Sequence, residues 1–393
     1  MRTLGPLMIP LLAGCAAMEP SAPADHELLD GPIAGLSSEE LLRFHRGDQA
    51  FNEEVFHAGN GLGPVFVATS CGSCHEGDGP GHPFTTLTRF GQADANGNQY
   101  LDQGGPQLQH RAVPGVQPES LPVDAPSARF LPPLNTGLGF LDAVPDAEIL
   151  AWADEFDADG DGISGRPNLL QRKTYSPLRA GSVEVDGLVV GRFGRKASVY
   201  DLLQQTASAY NQDIGVVSAF EPLDPYSQEP QDPEVATTTV HDVVFYLRTL
   251  KAPVQRDAGR PAVVAGTAVF HAIGCGKCHR ADLTTGHSPI AALADRTIHP
   301  YTDLLLHHMG PDLDDGYTEG IALPAEWRTP ALWGLGLFPA SQGGQYYLLH
   351  DGRAHSIEEA IGLHGGEGRP ARDAFHALPP SDRENLLTFL QSL

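Results

Sequence analysis

The sequence predicts a mainly α-helical protein of two related domains separated by long Gly/Pro-rich loops. Three observations predict it. Cys71-Gly-Ser-Cys74-His75 and Cys275-Gly-Lys-Cys278-His279 repeat one motif far apart in the chain. A helix-forming apolar segment follows well downstream of each motif, Val243–Leu250 after the first and Leu386–Leu393 after the second, a weak internal repeat. The 44 glycines and 33 prolines favour short helices and structured loops over a large sheet.

The elements follow in chain order. Arg2, the apolar run Leu4–Leu12 and Leu12-Ala13-Gly14-Cys15 read as a lipoprotein signal peptide over residues 1–14, cut before a lipidated Cys15. The run is too short to span a bilayer, so contact with the membrane is expected only through that lipid anchor. The expected location is periplasmic, tethered to the outer membrane of a Gram-negative-type bacterium. Residues 15–36 read as a flexible tether. Ser37-Ser-Glu-Glu40 is a capping box opening a helix to about Val55. Pro145-Asp146 starts a short helix through Trp152. Another starts near Lys196, with Leu202, Leu203 and Ala207 on one side. Thr239 caps the helix carrying Val243–Leu250, and Ser381-Asp-Arg-Glu384 caps the last one. The Pro/Ala/Gly-containing stretch Lys251–Arg260 marks a linker, giving domains over 37–252 and 253–393.

The net charge of −24 argues against nucleic acid, whose phosphates need clustered Lys and Arg. It suits an exported protein that meets a basic redox partner, and equally it serves solubility.

The doubled CxxCH has a mechanical reason. Two thiols add across haem vinyl groups as thioethers, and the adjoining histidine supplies a neutral imidazole to the iron. Cys71, Cys74 and His75 are thus expected to hold one haem c, and Cys275, Cys278 and His279 a second. A shared tetrahedral zinc site is disfavoured by the separation of the pairs and gives no reason for either histidine. A thioredoxin-like motif lacks the surrounding strand–helix alternation. With Cys15 lipidated, no cysteine is left for a disulfide. The domains are therefore expected to be cytochrome c-like.

For the sixth ligand of the second iron two residues stand out. His364 ends a helix opened by the capping box Ser356-Ile-Glu-Glu359, and Met309 lies in Leu304–Gly310. Asp157-Ala-Asp159-Gly-Asp161-Gly162 begins like a calcium loop, with the Ile163 carbonyl completing the set. Asn168 stands where the bidentate Glu belongs, so the full loop motif fails. The weaker echo Asp94-Ala-Asn96-Gly-Asn98 reads as a turn.

These residues resemble the di-haem oxidoreductase family, relatives of bacterial di-haem cytochrome c peroxidases and MauG-like enzymes. The segments that carry the likeness are Gly61–Phe66, Gly191–Ala197, Tyr301–Gly310, Glu326–Gly336 and Leu349–Ala354. The resemblance implies an electron-transfer haem in the C-terminal domain feeding a reactive haem in the N-terminal one. It implies His364 rather than Met309 as the distal ligand, because His364 lies at the family's distance from the His350-Asp-Gly motif. It also implies a Gln and an acid above the reactive haem, here Gln204 or Gln205 with Asp213. The substrate would be a small oxidant such as hydrogen peroxide, and the donor a small cytochrome or cupredoxin-type protein. Arg195 replaces an inter-haem aromatic, which argues against a tryptophan relay at that position. A non-enzymatic electron-transfer protein and a MauG-like oxidant of a partner protein are the alternatives.

Overall fold

The computed structural model describes residues 24–393. The expected signal peptide, Cys15 and the start of the tether lie outside them. The chain is mainly helical, as anticipated. Its helices are α1 (Ser38–Asp48), α2 (Leu138–Ala143), α3 (Asp146–Leu150), α4 (Leu202–Ile214) and α5 (Thr237–Thr249), then α6 (Pro261–Ala272), α7 (Phe338–Ser341), α8 (Ile357–Gly362), α9 (Arg369–Ala377) and α10 (Pro380–Ser392). Five small antiparallel sheets of two or three strands, absent from the sequence reading, pin the loops among the described residues. Their strands are two to four residues long, too short to show an alternating pattern.

Capping explains which starts were legible. Ser37 and Glu40 form the expected reciprocal box at α1. Ser356 accepts from the Glu359 N–H at α8. Three starts differ. The Lys196 helix begins only at Leu202, capped by Asp201, because the Lys196 side chain is buried elsewhere and Ala197 has a φ of 51°. α5 begins at Thr237, two residues before Thr239. α10 begins at Pro380, whose fixed φ suits the first turn, so the Ser381 box is not used.

Two helix crossings share one design. α1 packs on α5 at Gly47, where a Cβ would collide with the Asp242 carbonyl and stand 2.6 Å from Tyr246 Cβ. α6 packs on α10 at Gly266, where a Cβ would collide with the Asn385 carbonyl and stand 2.6 Å from Phe389 Cβ. Four residues beyond each glycine, Phe51 and Phe270 enter their cores. Each crossing thus carries its own apolar cluster.

A third cluster joins the halves. Leu141, Val144 and Ile149 pack with Leu283, Leu304, Leu305 and Trp333. Within the N-terminal half, Asp146, fully buried, accepts from Arg192 and from Arg179 at 3.2 Å. Across the join, Lys196 donates to the carbonyls of Leu323, Pro324 and Glu326, each at 2.9 Å. Burial pushes that ammonium down to about 8.

Gly266→Ala should lower stability by about 3 kcal/mol, the upper end for overpacking, because the obstacle is backbone and outweighs a helix-propensity gain of about 1 kcal/mol. Gly259→Ala, with nothing within 4 Å of its Cβ, should be near neutral. Urea unfolding midpoints compare the two.

Candidate functional site

The first CxxCH turn hangs from the end of α4. The Val67 and Ala68 N–H groups donate to the Asp213 carbonyl at 2.7 and 3.0 Å. The helix stops at Gly215, which is left-handed and closes against the Val65 carbonyl. In the turn, Cys74 and His75 N–H groups both donate to the Cys71 carbonyl. The second turn repeats the contact, with the His279 N–H donating to the Cys275 carbonyl at 3.0 Å. Each histidine faces its core phenylalanine, at 6.0 Å for Phe51 and His75 and 6.5 Å for Phe270 and His279.

Burial sets the protonation of these groups. Both His75 and His279 are pushed down to about 4, which keeps the imidazoles neutral. Burial also pushes Cys71 up to about 12, Cys74 to about 11 and Cys275 to about 12, with Asp213 contributing at Cys71 and Cys74. Asp213 is therefore close to the first motif, on the opposite end of α4 from its cap.

The helix separates the residues named from sequence. Gln204 sits in its first turn, its carbonyl oxygen accepting from the Tyr200 N–H at 3.1 Å. Gln205 is beside it in the same turn. Asp213 is in the last turn, about 12 Å further along the axis at 1.5 Å per residue. The glutamine brought to Asp213 is Gln107, whose amide donates to its carboxylate. Arg89 stands next, donating to Gln212 at 2.7 Å and paired with Glu319 at 2.8 Å. Burial raises the Asp213 carboxyl to about 6, with Gln107 and Arg89 pulling the other way. Gln107 lies in a loop without periodicity, so no sequence signal announced it. Glu54 Oε2 and the Tyr210 hydroxyl are buried without a hydrogen bond, and both groups act on Cys71 or are acted on by it.

The second motif faces a second imidazole. His279 Nδ1–H donates to the Tyr301 carbonyl at 3.0 Å, and His364 Nδ1–H to the Ala360 carbonyl at 2.7 Å. Both Nε2 atoms are thereby left as the electron-pair donors. Burial holds both rings below the ordinary histidine range, and His364 depresses His279 further. Met309 is adjacent: a Cβ at Gly368 would stand 3.2 Å from both His364 Cδ2 and Met309 Cε. Beside Cys278, His307 bridges Asp303 at 2.8 Å and Glu367 at 2.7 Å. Burial opposes its charge, yet these hydrogen bonds hold the imidazole well above the usual range.

Two half-buried guanidiniums adjoin each other near the first motif. Arg195 donates to the Leu131 carbonyl at 2.9 and 2.7 Å, and Arg328 to those of Gly194 and Thr329, both at 3.0 Å. The Arg328 N–H also donates to the Arg195 carbonyl. Burial lowers Arg195 to about 9, with Arg328 repelling it, and burial lowers Arg328 to about 10. Arg195 is close enough to depress His75. Among the described residues neither guanidinium is in an ion pair, and Asp351 and Asp303 act on Arg195 and Arg328 only from a distance, so the spot suits a further anion.

In the acidic loop the structure gathers Asp154, Asp157 and Asp159. Asp161 turns away to Lys277 at 3.0 Å and accepts from the Ile163 N–H. Asp154 was not named from sequence because it lies outside the alternating pattern. The Asp94 loop is a turn, with the Asn96 N–H donating to Asp94.

A mainly helical chain with two half-buried Cys-x-x-Cys-His turns, the first beside Asp213 and the second with a further histidine, His364, near its own, is the build of a di-haem protein. Residues 127–393 match the family model described as "Di-haem oxidoreductase, putative peroxidase", and the chain belongs to that family. The match contains the second motif and begins after the first. Among solved structures, the chain is similar to Kuenenia stuttgartiensis hydrazine synthase pressurised with xenon. Identity is 15%, covering 99% of this chain and 100% of that one, with a TM-score of 0.40. A MauG-like protein associated with microbial copper homeostasis shows 13% identity over 95% of this chain and 94% of that one, with a TM-score of 0.38. No curated protein matches the chain. No helix among the described residues is long and apolar enough to cross a membrane.

Gln107→Leu should carry the Asp213 carboxyl above its value of about 6, because the pull of that hydrogen bond is lost. An infrared titration of the buried carboxyl band reads the shift.

Proposed function

We propose that the chain is a periplasmic di-haem c oxidoreductase that reduces hydrogen peroxide at its N-terminal centre, fed by its C-terminal one. The observation that carries it is the inequality of the two sites: Asp213 beside Cys71 and Cys74, against His364 beside His279. The residues present fit two haems. Cys71, Cys74 and His75 would hold the first, and Cys275, Cys278, His279 and His364 the second. Arg195 and Arg328 would hold a haem carboxylate, which supplies the missing anion. Bound there, haem supplies one-electron storage at the second centre and peroxide cleavage at the first.

The chain's own groups manage the proton. Asp213, as carboxylate, takes it from the near peroxide oxygen and returns it to the far one, so that water leaves. Gln107 holds the carboxylate in place, and Arg89 is the cation that faces it. At the second centre, His279 and His364 are anchored through Nδ1, and together they would hold the iron and leave no place there for substrate. A calcium ion at Asp157 and Asp159, with Asp154 in place of Asp161, would brace the loop that reaches Lys277. The Leu12–Cys15 segment supports a lipid tether, and the −24 charge supports a basic cytochrome or cupredoxin-type donor.

Pyridine haemochrome spectra should count two thioether-linked haems, and one after Cys71→Ala with Cys74→Ala. His364→Gly should turn the second centre high-spin in electron paramagnetic resonance, while Met309→Leu leaves it low-spin. Asp213→Asn should slow peroxide reduction by about 10²–10⁴-fold at unchanged haem content. In the parent, the rate should fall as pH drops through about 6, because only the ionised carboxylate accepts the proton. Both centres low-spin and inert to peroxide and carbon monoxide would instead mark an electron carrier.

A further inference from the structure

The two helix crossings place equivalent residues at the glycine, the inward phenylalanine and its aromatic partner, and the partner differs. Phe51 meets Tyr246 at 5.5 Å in the first, and Phe270 meets Phe389 at 5.3 Å in the second. Tyr246 and Phe389 occupy equivalent positions, each with its Cβ against the crossing glycine. Only the first carries a hydroxyl. That hydroxyl lies 2.7 Å from both carboxylate oxygens of Asp78 and accepts from the Asn52 amide at 2.9 Å. Both residues are buried, at 1% and 2% exposure. Packing does not require the pair, since Phe389 fills the same place without one. A buried carboxylate and phenol are costly to desolvate, so their presence in one half alone calls for a use.

We propose that Tyr246 is a redox-active tyrosine that donates one electron to the oxidised first centre while its phenolic proton passes to Asp78. This rests on the reading that hydrogen peroxide oxidises that centre. The step balances. The O–H bond of Tyr246 breaks, its electron reduces the first centre by one equivalent, and its proton forms an O–H bond on Asp78. Tyrosine is oxidised to a neutral radical. The hydrogen bond survives with its direction reversed, so little reorganisation is needed. When the donor protein returns an electron, the proton goes back. Peroxide needs two electrons, and the pair supplies the second whenever peroxide arrives before the C-terminal centre is reduced.

The path is short at both ends. His75, Phe51 and Tyr246 follow one another at ring separations of 6.0 and 5.5 Å. Beyond Tyr246, Phe44 lies at 5.0 Å and the exposed His45 at 5.6 Å from Phe44. The oxidising equivalent therefore has a buried resting place next to the first centre.

The test mixes hydrogen peroxide with the fully oxidised, haem-loaded protein and freezes it within milliseconds for electron paramagnetic resonance. A tyrosyl radical is expected, its pattern collapsing when the protein carries ring-deuterated tyrosine. Tyr246→Phe copies the second crossing and should fold with unchanged haem bands, yet lose the signal. Asp78→Asn keeps a hydrogen-bond partner but not a proton acceptor, and should slow the radical's appearance by roughly a hundredfold. Haem bands that respond to peroxide without any tyrosyl radical, or a radical unchanged in Tyr246→Phe, would overturn the proposal. Haem bands that do not respond would sink the peroxide reading instead. A photogenerated ruthenium(III) oxidant then tests the pair alone, with loss of the radical in Tyr246→Phe expected and its persistence overturning.

Discussion

The structure depends on backbone touching backbone at two glycines. Gly47 and Gly266 let paired helices approach until only a hydrogen fits between them. That approach sets how far Phe51 and Phe270 reach inward, and each phenylalanine in turn backs the histidine of its CxxCH turn. A bulkier residue would move the helix, then the aromatic wall, then the imidazole. Close packing transmits such a shift because interiors have little free volume. The same geometry built twice explains why each histidine sits against an aromatic wall and is held neutral, although only His279 is anchored through Nδ1 to a carbonyl.

Apart from Tyr246, what makes the halves unequal lies outside the crossings. The Gly191–Ala197 segment threads between them, and three of its side chains are cations with different partners, Arg192 and Lys196 buried and Arg195 half-buried. Arg192 meets Asp146, a true ion pair. Lys196 has carbonyls and the face of Trp327, 3.8 Å from its ammonium. Arg195 has carbonyls and another arginine. The first two fix the segment through an ion pair and through carbonyls. The third has no ion-pair partner among the described residues and, of the carboxylates, feels only the charge of Asp351, which leaves it the cation of the three best placed to meet a further anion.

Trp327 illustrates how the surroundings direct redox chemistry. It stacks on His350 at 3.6 Å and sits under the Lys196 cation. A nearby positive charge opposes loss of an electron from the indole. Tyr246 has the reverse setting, a carboxylate at its hydroxyl. Electrostatics thus discourages oxidation at one buried aromatic and favours it at the other.

By itself the sequence determined the local features: the two CxxCH turns, the capping box at Ser37, the Ser356 cap without its reciprocal bond, the helical class, and His364 just past the end of a helix. These rest on adjacency, on short-range hydrogen bonds and on period, all written along the chain. Tertiary structure alone decided what meets across it. Gln107 reaches Asp213 from a loop with no pattern and Arg89 from the short strand Leu87–Phe90, while Gln204 and Gln205 lie two turns away because a helix rises 1.5 Å per residue. The strands are too short to alternate, and Asp154 joins its loop from outside the motif. Even the opening feature, a motif found twice, became two different sites only through its neighbours. Like turns acquire different surroundings, Asp213 with Gln107 at one and His364 at the other, and no local rule records which.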